Sequence, residues 1–248
     1  MSDTAEAPRI PWLVLILAGI ALVILLSLGT WQVKRLAWKE GLLATIHERM
    51  TSAPKPLADV AAMEMAGSDI DYLAVTATGR FLHEHEQFFF ATHKGATGWF
   101  VYTPLDLDDG SGIVFVNRGF VPYDDKDPAR RPQGQVEGEV TVTGLARTAI
   151  AEKPSFLVPE NDPQNGVYYW KDLSAMSEQA GFGTDTPVMH LFIDADATPN
   201  PGGWPMGGVT LVDLPNSHLQ YAITWYGLAL ALFAVTAVFV RRRYRADA

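Results

Sequence analysis

From Pro11 to Val33 the chain reads PWLVLILAGIALVILLSLGTWQV without a single charged residue, and from Leu219 to Val240 a second run does the same. At the helical rise either run is long enough to cross a hydrocarbon core. The first is too long for the apolar part of a secretory signal, and no small-x-small cleavage site follows it. Both are therefore expected to be retained, as spans over 11–33 and, with its opening segment, 214–240. The Lys/Arg bias is strongest in RRRYR, Arg241 to Arg245, which places the C-terminus on the cytoplasmic side. Two spans then return the N-terminus to that side and leave the intervening chain on the outer face, although Lys34, Arg35 and Lys39 outnumber Arg9 and pull the other way. Residues 1–10 and 241–248 become short cytoplasmic tails. The stretch MSDTAEAPRI is short and acidic, unlike an Arg-rich transit peptide, so a bacterial inner membrane is the expected location, with the large domain in the periplasm.

Residues 34–50 continue as an amphipathic helical arm, with Leu36, Leu43 and Met50 seven apart and Leu42, Ile46 and Met50 at steps of four. Pro54 and Pro56 then stop it. The domain that follows, 51–213, carries ten Lys/Arg against 23 Asp/Glu, a net charge of −13. Such a surface repels phosphate backbones and excludes nucleic acid as a partner class. Cysteine is absent, which rules out disulfides, Fe–S ligation and covalent c-type haem attachment.

Short alternating or aromatic-rich runs dominate this domain: YLAVTATGRF, QFFFAT, EVTVTGLAR, VYYWKD, VMHLFID and VTLVD. GWFVYTPLDL and GIVFVNRGFV flank the turn DDGSG and form the best hairpin in the sequence. DLSAMSEQAG reads as a helix with Asp172 as N-cap and Gly181 near its end. The expected fold class is α+β, two transmembrane helices flanking a mainly antiparallel-β extramembrane domain.

Catalytic signatures are missing. There is no nucleophile elbow, triad order, Walker or dinucleotide motif, and Asp124, Asp125 and Asp127 sit in a Pro-rich loop where carboxylates solvate a surface. The chain is expected not to be an enzyme. His83 and His85 in HEHE could share one face of a strand as metal ligands, but no third ligand is fixed by spacing and a polar turn is the favoured reading. His47, His93 and His190 stand alone. Arg118, after an apolar strand run, must reach water or meet an anion, and a strand-end ion pair is the favoured reading.

The membrane edge is different. His218, Tyr221, Ala222, Trp225 and Ala229 follow steps of three and four and share one helical face. On the antiparallel first span Gly29, Thr30, Trp31 and Gln32 fall at about the same depth, with Lys34 and Arg35 just above. An imidazole, aromatic walls, small residues and nearby cations would suit a haem, with the cations toward its propionates. They would equally suit a helix–helix seam with interfacial aromatic anchors.

The blocks LGTWQVKRLAWKEGLL, TGRF, GWFVYTPL, VNRGFVP, PGGWPMGG and LPNSHLQYAITWYGLA, in this order over most of the chain, resemble the surfeit-locus protein 1 family of cytochrome c oxidase assembly factors. The resemblance implies an inner-membrane protein with two spans and a domain facing the periplasm, or in mitochondria the intermembrane space. It implies assistance in placing haem a in subunit I of haem–copper oxidase, with haem a bound transiently and the histidine of the Asn-x-His-Leu block as iron ligand. In this chain that histidine is His218. Tyr221, Trp225, Trp31, Gln32 and Arg35 stand beside it as supporting candidates. The implied partners are subunit I, haem a synthase and the membrane, with a homo-oligomer open. Two rivals remain: a scaffold that holds subunit I or haem a synthase without binding haem, and a membrane-anchored periplasmic enzyme.

Overall fold

The structure is a computed structural model that describes residues 12–183, 186–210, 212 and 215–246. Its helices are α1 (Trp12–Thr51), α2 (Leu57–Met65), α3 (Leu173–Gln179) and α4 (His218–Ala246). Its strands are β1 (Lys55–Pro56), β2 (Ala74–Phe81), β3 (Gln87–His93), β4 (Ala96–Leu107), β5 (Ile113–Pro122), β6 (Glu139–Thr148), β7 (Val167–Tyr168) and β8 (Val188–Ala195). The chain divides into two compact units, Met1–Thr45 with Asp213–Ala248, and Ile46–Val212.

The first unit consists of the two long helices, both apolar enough to cross a membrane and with most of their surface uncovered by protein. The second is built on one sheet of order β1-β2-β6-β8-β5-β4-β3-β7, and β2 also pairs with β4 through Gly79↔Leu107, Arg80↔Asp106 and Phe81↔Leu105. That extra pairing closes β2, β6, β8, β5 and β4 into a five-stranded barrel, which removes two sheet edges.

Alternation along each barrel strand sends one set of side chains inward. Val75 and Ala77, Leu105 and Leu107, Val114 and Val116, Val142 and Ala146, and Leu191 and Ile193 form one buried cluster, joined by Leu57 and Val60 of α2. Each large aliphatic chain withdrawn from water contributes about 1.5–3 kcal/mol. The opposite face carries Tyr102, Phe115 and Phe192, covered by Leu173 and Met176 of α3. Asp172 caps α3, its carboxylate accepting from Ala175 N–H at 3.0 Å, and Gly181 follows at φ 76°. In the β4–β5 hairpin the Asp109 carboxylate accepts from Ser111 N–H at 2.9 Å, and Gly110 takes φ 73°.

Several local expectations change. Five of the strand pairings are antiparallel, but β1–β2, β3–β7 and β5–β8 are parallel. Helix α2 was not read from the sequence. VYYWKD contributes only the two residues of β7, because Tyr169 and Trp170 N–H turn away to the Asn161 side-chain oxygen. VTLVD is not a strand at Val209, Thr210 or Val212, and Leu211 and Asp213 lie outside the described residues. His83 and His85 lie in a 3-10 turn, not on a strand.

Barrel closure depends on a close crossing at Gly79, where a β-carbon would stand 2.2 Å from the Asp106 carbonyl oxygen. Gly79→Val forces β2 from β4, and the expected loss is about 3 kcal/mol. Chemical unfolding of the detergent-solubilised full chain measures it; an unchanged midpoint would show that β2–β4 pairing contributes little.

Candidate functional site

In the two-helix unit, half-buried and buried positions recur at alternating steps of four and three. On α1 the series is Leu15, Ala18, Leu22, Leu25, Gly29, Gln32, Leu36 and Lys39, with Ala21 and Leu28 beside it; on α4 it is His218, Ala222, Trp225, Ala229, Leu232 and Thr236, with Val240 beyond. This heptad spacing is that of two helices packed along one seam. Three contacts set its direction and register. Thr30 Oγ1 and Tyr226 Oη lie 3.0 Å apart, His218 Nδ1 is 2.7 Å from Gln32 Oε1, and Lys39 Nζ donates to the Pro215 carbonyl. Ascending residues on α1 meet descending residues on α4, so the pair is antiparallel. Gly29 is required there, because a β-carbon would come 2.9 Å from the Tyr226 ring.

The His218–Gln32 pair sits at the end of the apolar section. The rise from Trp12 to Gln32 is about 30 Å, the thickness of a hydrocarbon core. Gln32 is 9% exposed and His218 half-buried. Trp225 is half-buried on the same seam, between Ala222 and Ala229. Trp31 and Tyr221 are 53% and 52% exposed and stand outside the seam. Arg35 is exposed and holds its guanidinium 4.5 Å over the Trp38 ring; Lys34 is exposed beside it. Of the residues singled out from the sequence, the structure thus joins His218 directly to Gln32. Trp225 shares their seam, and Trp31, Tyr221 and Arg35 lie around it.

The extramembrane unit contains a polar centre that sequence reading found only in part. Between Val101 and Tyr102 the β4–β5 register shifts, pairing Val101 with Gly119 and Tyr102 with Asn117, so Arg118 is the extra residue of a bulge. A bulge re-aims its side chain. The Arg118 guanidinium, 2% exposed, donates to Glu86 Oε1 at 3.3 Å, to the Asn200 side-chain oxygen at 3.2 Å and to the Gly134 carbonyl at 2.5 Å. Arg131, also buried, reaches Glu86 Oε2 at 2.6 Å. The ion pair expected at Arg118 is present, but at a bulge inside β5 and not at a strand end. Its partners Glu86 and Arg131 carried no local signal, since both lie in irregular segments and meet only through the fold. His83 belongs to this centre, with Nδ1 3.5 Å from Glu86 and Nε2 2.9 Å from the Val136 carbonyl oxygen. Among the described residues no cluster of metal-ligating side chains occurs.

Burial alone would raise the Glu86 pKa, but hydrogen bonds from His83 and Arg131 and the charges of Arg131 and Arg118 outweigh it and hold the group at about 2. Burial lowers Arg118 to about 10, with the Arg131 charge adding to the effect and Glu86 opposing it.

Two apolar helices flanking a sheet-built domain, with an imidazole–amide pair on the helix seam, define a two-span membrane-anchored protein whose bulk lies outside the apolar section. The chain belongs to the SURF1 family, whose model matches residues 19–230. It is similar to Surfeit locus protein 1 of Rattus norvegicus, 38% identical over 235 residues, covering 87% of this chain and 72% of the relative. Surfeit locus protein 1 of Xenopus tropicalis is 36% identical over 249 residues, with 93% and 75% covered. That of Homo sapiens is 35% identical over 221 residues, with 83% and 70% covered.

Glu86→Gln leaves two buried guanidiniums without their carboxylate and is expected to destabilise the protein by about 3 kcal/mol at neutral pH. The folded-state pKa of Glu86 lies below the ordinary value of ~4.3. The carboxylate's contribution is therefore complete above that value and is lost as pH falls toward about 2. The gap in unfolding free energy between wild type and variant should shrink over that window; a gap independent of pH would remove Glu86 as the centre of the cluster.

Proposed function

We propose that this protein is an assembly factor for haem–copper cytochrome c oxidase that holds haem a as transient cargo at the outer edge of the membrane and helps place it in subunit I. The observation that carries the reading is the half-buried imidazole of His218 at the end of the apolar section, with Nδ1 engaged by Gln32 and with no hydrogen bond at Nε2 among the described residues. A nitrogen lone pair at an apolar boundary is the donor that haem iron takes from a protein. Gly29, Ala222 and Ala229 let the two helices approach closely along the seam, and Trp225 offers an aromatic wall at its side.

His218 would supply the iron ligand, at the end of the apolar seam. Arg35, exposed nearly one turn beyond Gln32, and Lys34, exposed half a turn beyond it, would be the nearest cations for propionates. Tyr221 and Trp31 stand at the rim, where their amphipathic rings suit the headgroup level. The acidic extramembrane domain is the docking body for subunit I or for haem a synthase. The basic run Arg241–Arg245 favours a cytoplasmic C-terminus and a periplasmic domain in a bacterial inner membrane. No chemical transformation of the cargo is assigned to the chain.

Co-expression with haem a synthesis, purification and absorption spectroscopy test the assignment. The wild type should carry a haem a spectrum, and His218→Ala should lose most of it while remaining folded. Equal haem in both, or none in either, removes His218 as ligand. A haem-free wild type that still co-purifies with subunit I would make the protein a scaffold.

A further inference from the structure

We propose that Gln32 is the positioning residue for His218: it fixes Nε2 as the iron-binding nitrogen and keeps that bond weak enough for haem to leave. The inference rests on the haem a reading above and adds a residue role that the family resemblance does not supply. A primary-amide oxygen can accept a hydrogen bond and cannot donate one. With the Gln32 amide turned so that Oε1 faces His218 Nδ1, 2.7 Å away, Nδ1 is the donor, which puts the imidazole proton there and the lone pair on Nε2. Because the two side chains belong to different helices, the same bond sets the rotation of the ring about its own helix. A ligand histidine is oriented in this way by the acceptor on its second nitrogen.

The choice of acceptor has a chemical consequence. A carboxylate at position 32 would draw the Nδ1 proton toward itself, raise the basicity of Nε2 and strengthen its bond to ferric iron. A neutral amide orients the ring while donating much less electron density. An amide therefore gives a well-defined ligand with moderate affinity, which a protein that hands its cargo on requires. The competing reading is that Gln32 and His218 form an interhelical hydrogen bond whose only effect is to hold the seam. That reading predicts changes in stability and none in the properties of the iron.

The full-length protein, reconstituted in nanodiscs and loaded with haemin, is compared with Gln32→Leu, Gln32→Glu and His218→Ala. The readouts are the midpoint potential, the ferric EPR and absorption spectra, and the rate of haem loss to excess apomyoglobin. Gln32→Leu should speed haem loss about tenfold or more and move the potential positive, whereas Gln32→Glu should slow haem loss by a similar factor and move the potential negative. If Gln32→Leu does not fold, Gln32→Glu, which retains an acceptor, decides through its potential and loss rate. If His218→Ala loses haem but Gln32→Glu keeps wild-type spectra, potential and loss rate, the role of Gln32 is overturned and the ligand assignment stands. If His218→Ala binds haemin as the wild type does, the ligand assignment falls, and the role of Gln32 falls with it.

Discussion

Strand β4 pairs with three neighbours, and the extramembrane domain is arranged around that fact. Its first half bonds β3, its last three residues bond β2, and β5 runs beside it for most of its length. Because side chains alternate along a strand, a one-residue slip exchanges the inward and outward sets. The bulge at Arg118 introduces such a slip in β5, so that Val116 before it and Val121 after it, five residues apart, lie on the same side, while β4 alternates without a break. Leu105 and Leu107 go to the barrel interior, Tyr102 to the α3 side, and Val101 and Trp99 to a third cluster with Phe88 and Val121. The same irregularity brings a guanidinium into the protein, which the fold accommodates with Glu86 and with the oxygens of Gly134 and Asn200.

The parts legible from sequence were those whose signal is local. Hydrophobic runs marked α1 and α4, alternation and the Asp-Gly turn marked β4 and β5, and the capping aspartate marked α3. What escaped depends on contacts distant in sequence. Parallel pairing of β5 with β8 joins segments 75 residues apart at Ile113↔Val188, and β2 finds β6 across 71 residues at Ala74↔Leu145. Helix α2 escaped for another reason: nine residues directly after Pro56, with Leu57 and Val60 as its buried residues, give too short a pattern to separate from a loop. The face carrying His218 was readable from spacing on α4. Its partner was not, because choosing Gln32 over Trp31 or Arg35 requires the stagger and rotation of α1, and those are set by small seam residues such as Gly29.

The two units bury polar groups by different means, and the contrast follows from what surrounds each. Around Glu86 two guanidiniums face one carboxylate, and backbone oxygens of Gly134, Asp125 and Lys126 take the remaining donors. A domain with water at its surface can tolerate a charged centre if every donor is met. Along the apolar helices the polar groups are neutral, since nearby hydrocarbon offers neither solvent nor counter-ions. Thr30, Thr224 and Thr236 each donate to the carbonyl four residues earlier on their own helix.

His218 departs from that economy. A threonine hydroxyl in a helix can return its hydrogen to the backbone, so it asks nothing of its neighbours. Imidazole has two ring nitrogens on opposite sides, and a contact to one leaves the other directed elsewhere. With Nδ1 held by Gln32, no other group among the described residues bonds Nε2, which is left for water, a lipid headgroup or a bound ligand. A purely structural seam could use a second threonine or alanine at this position at lower cost. Placing an imidazole at the boundary, and orienting it with an amide from the opposite helix, has a physical purpose when the second nitrogen has something to bind.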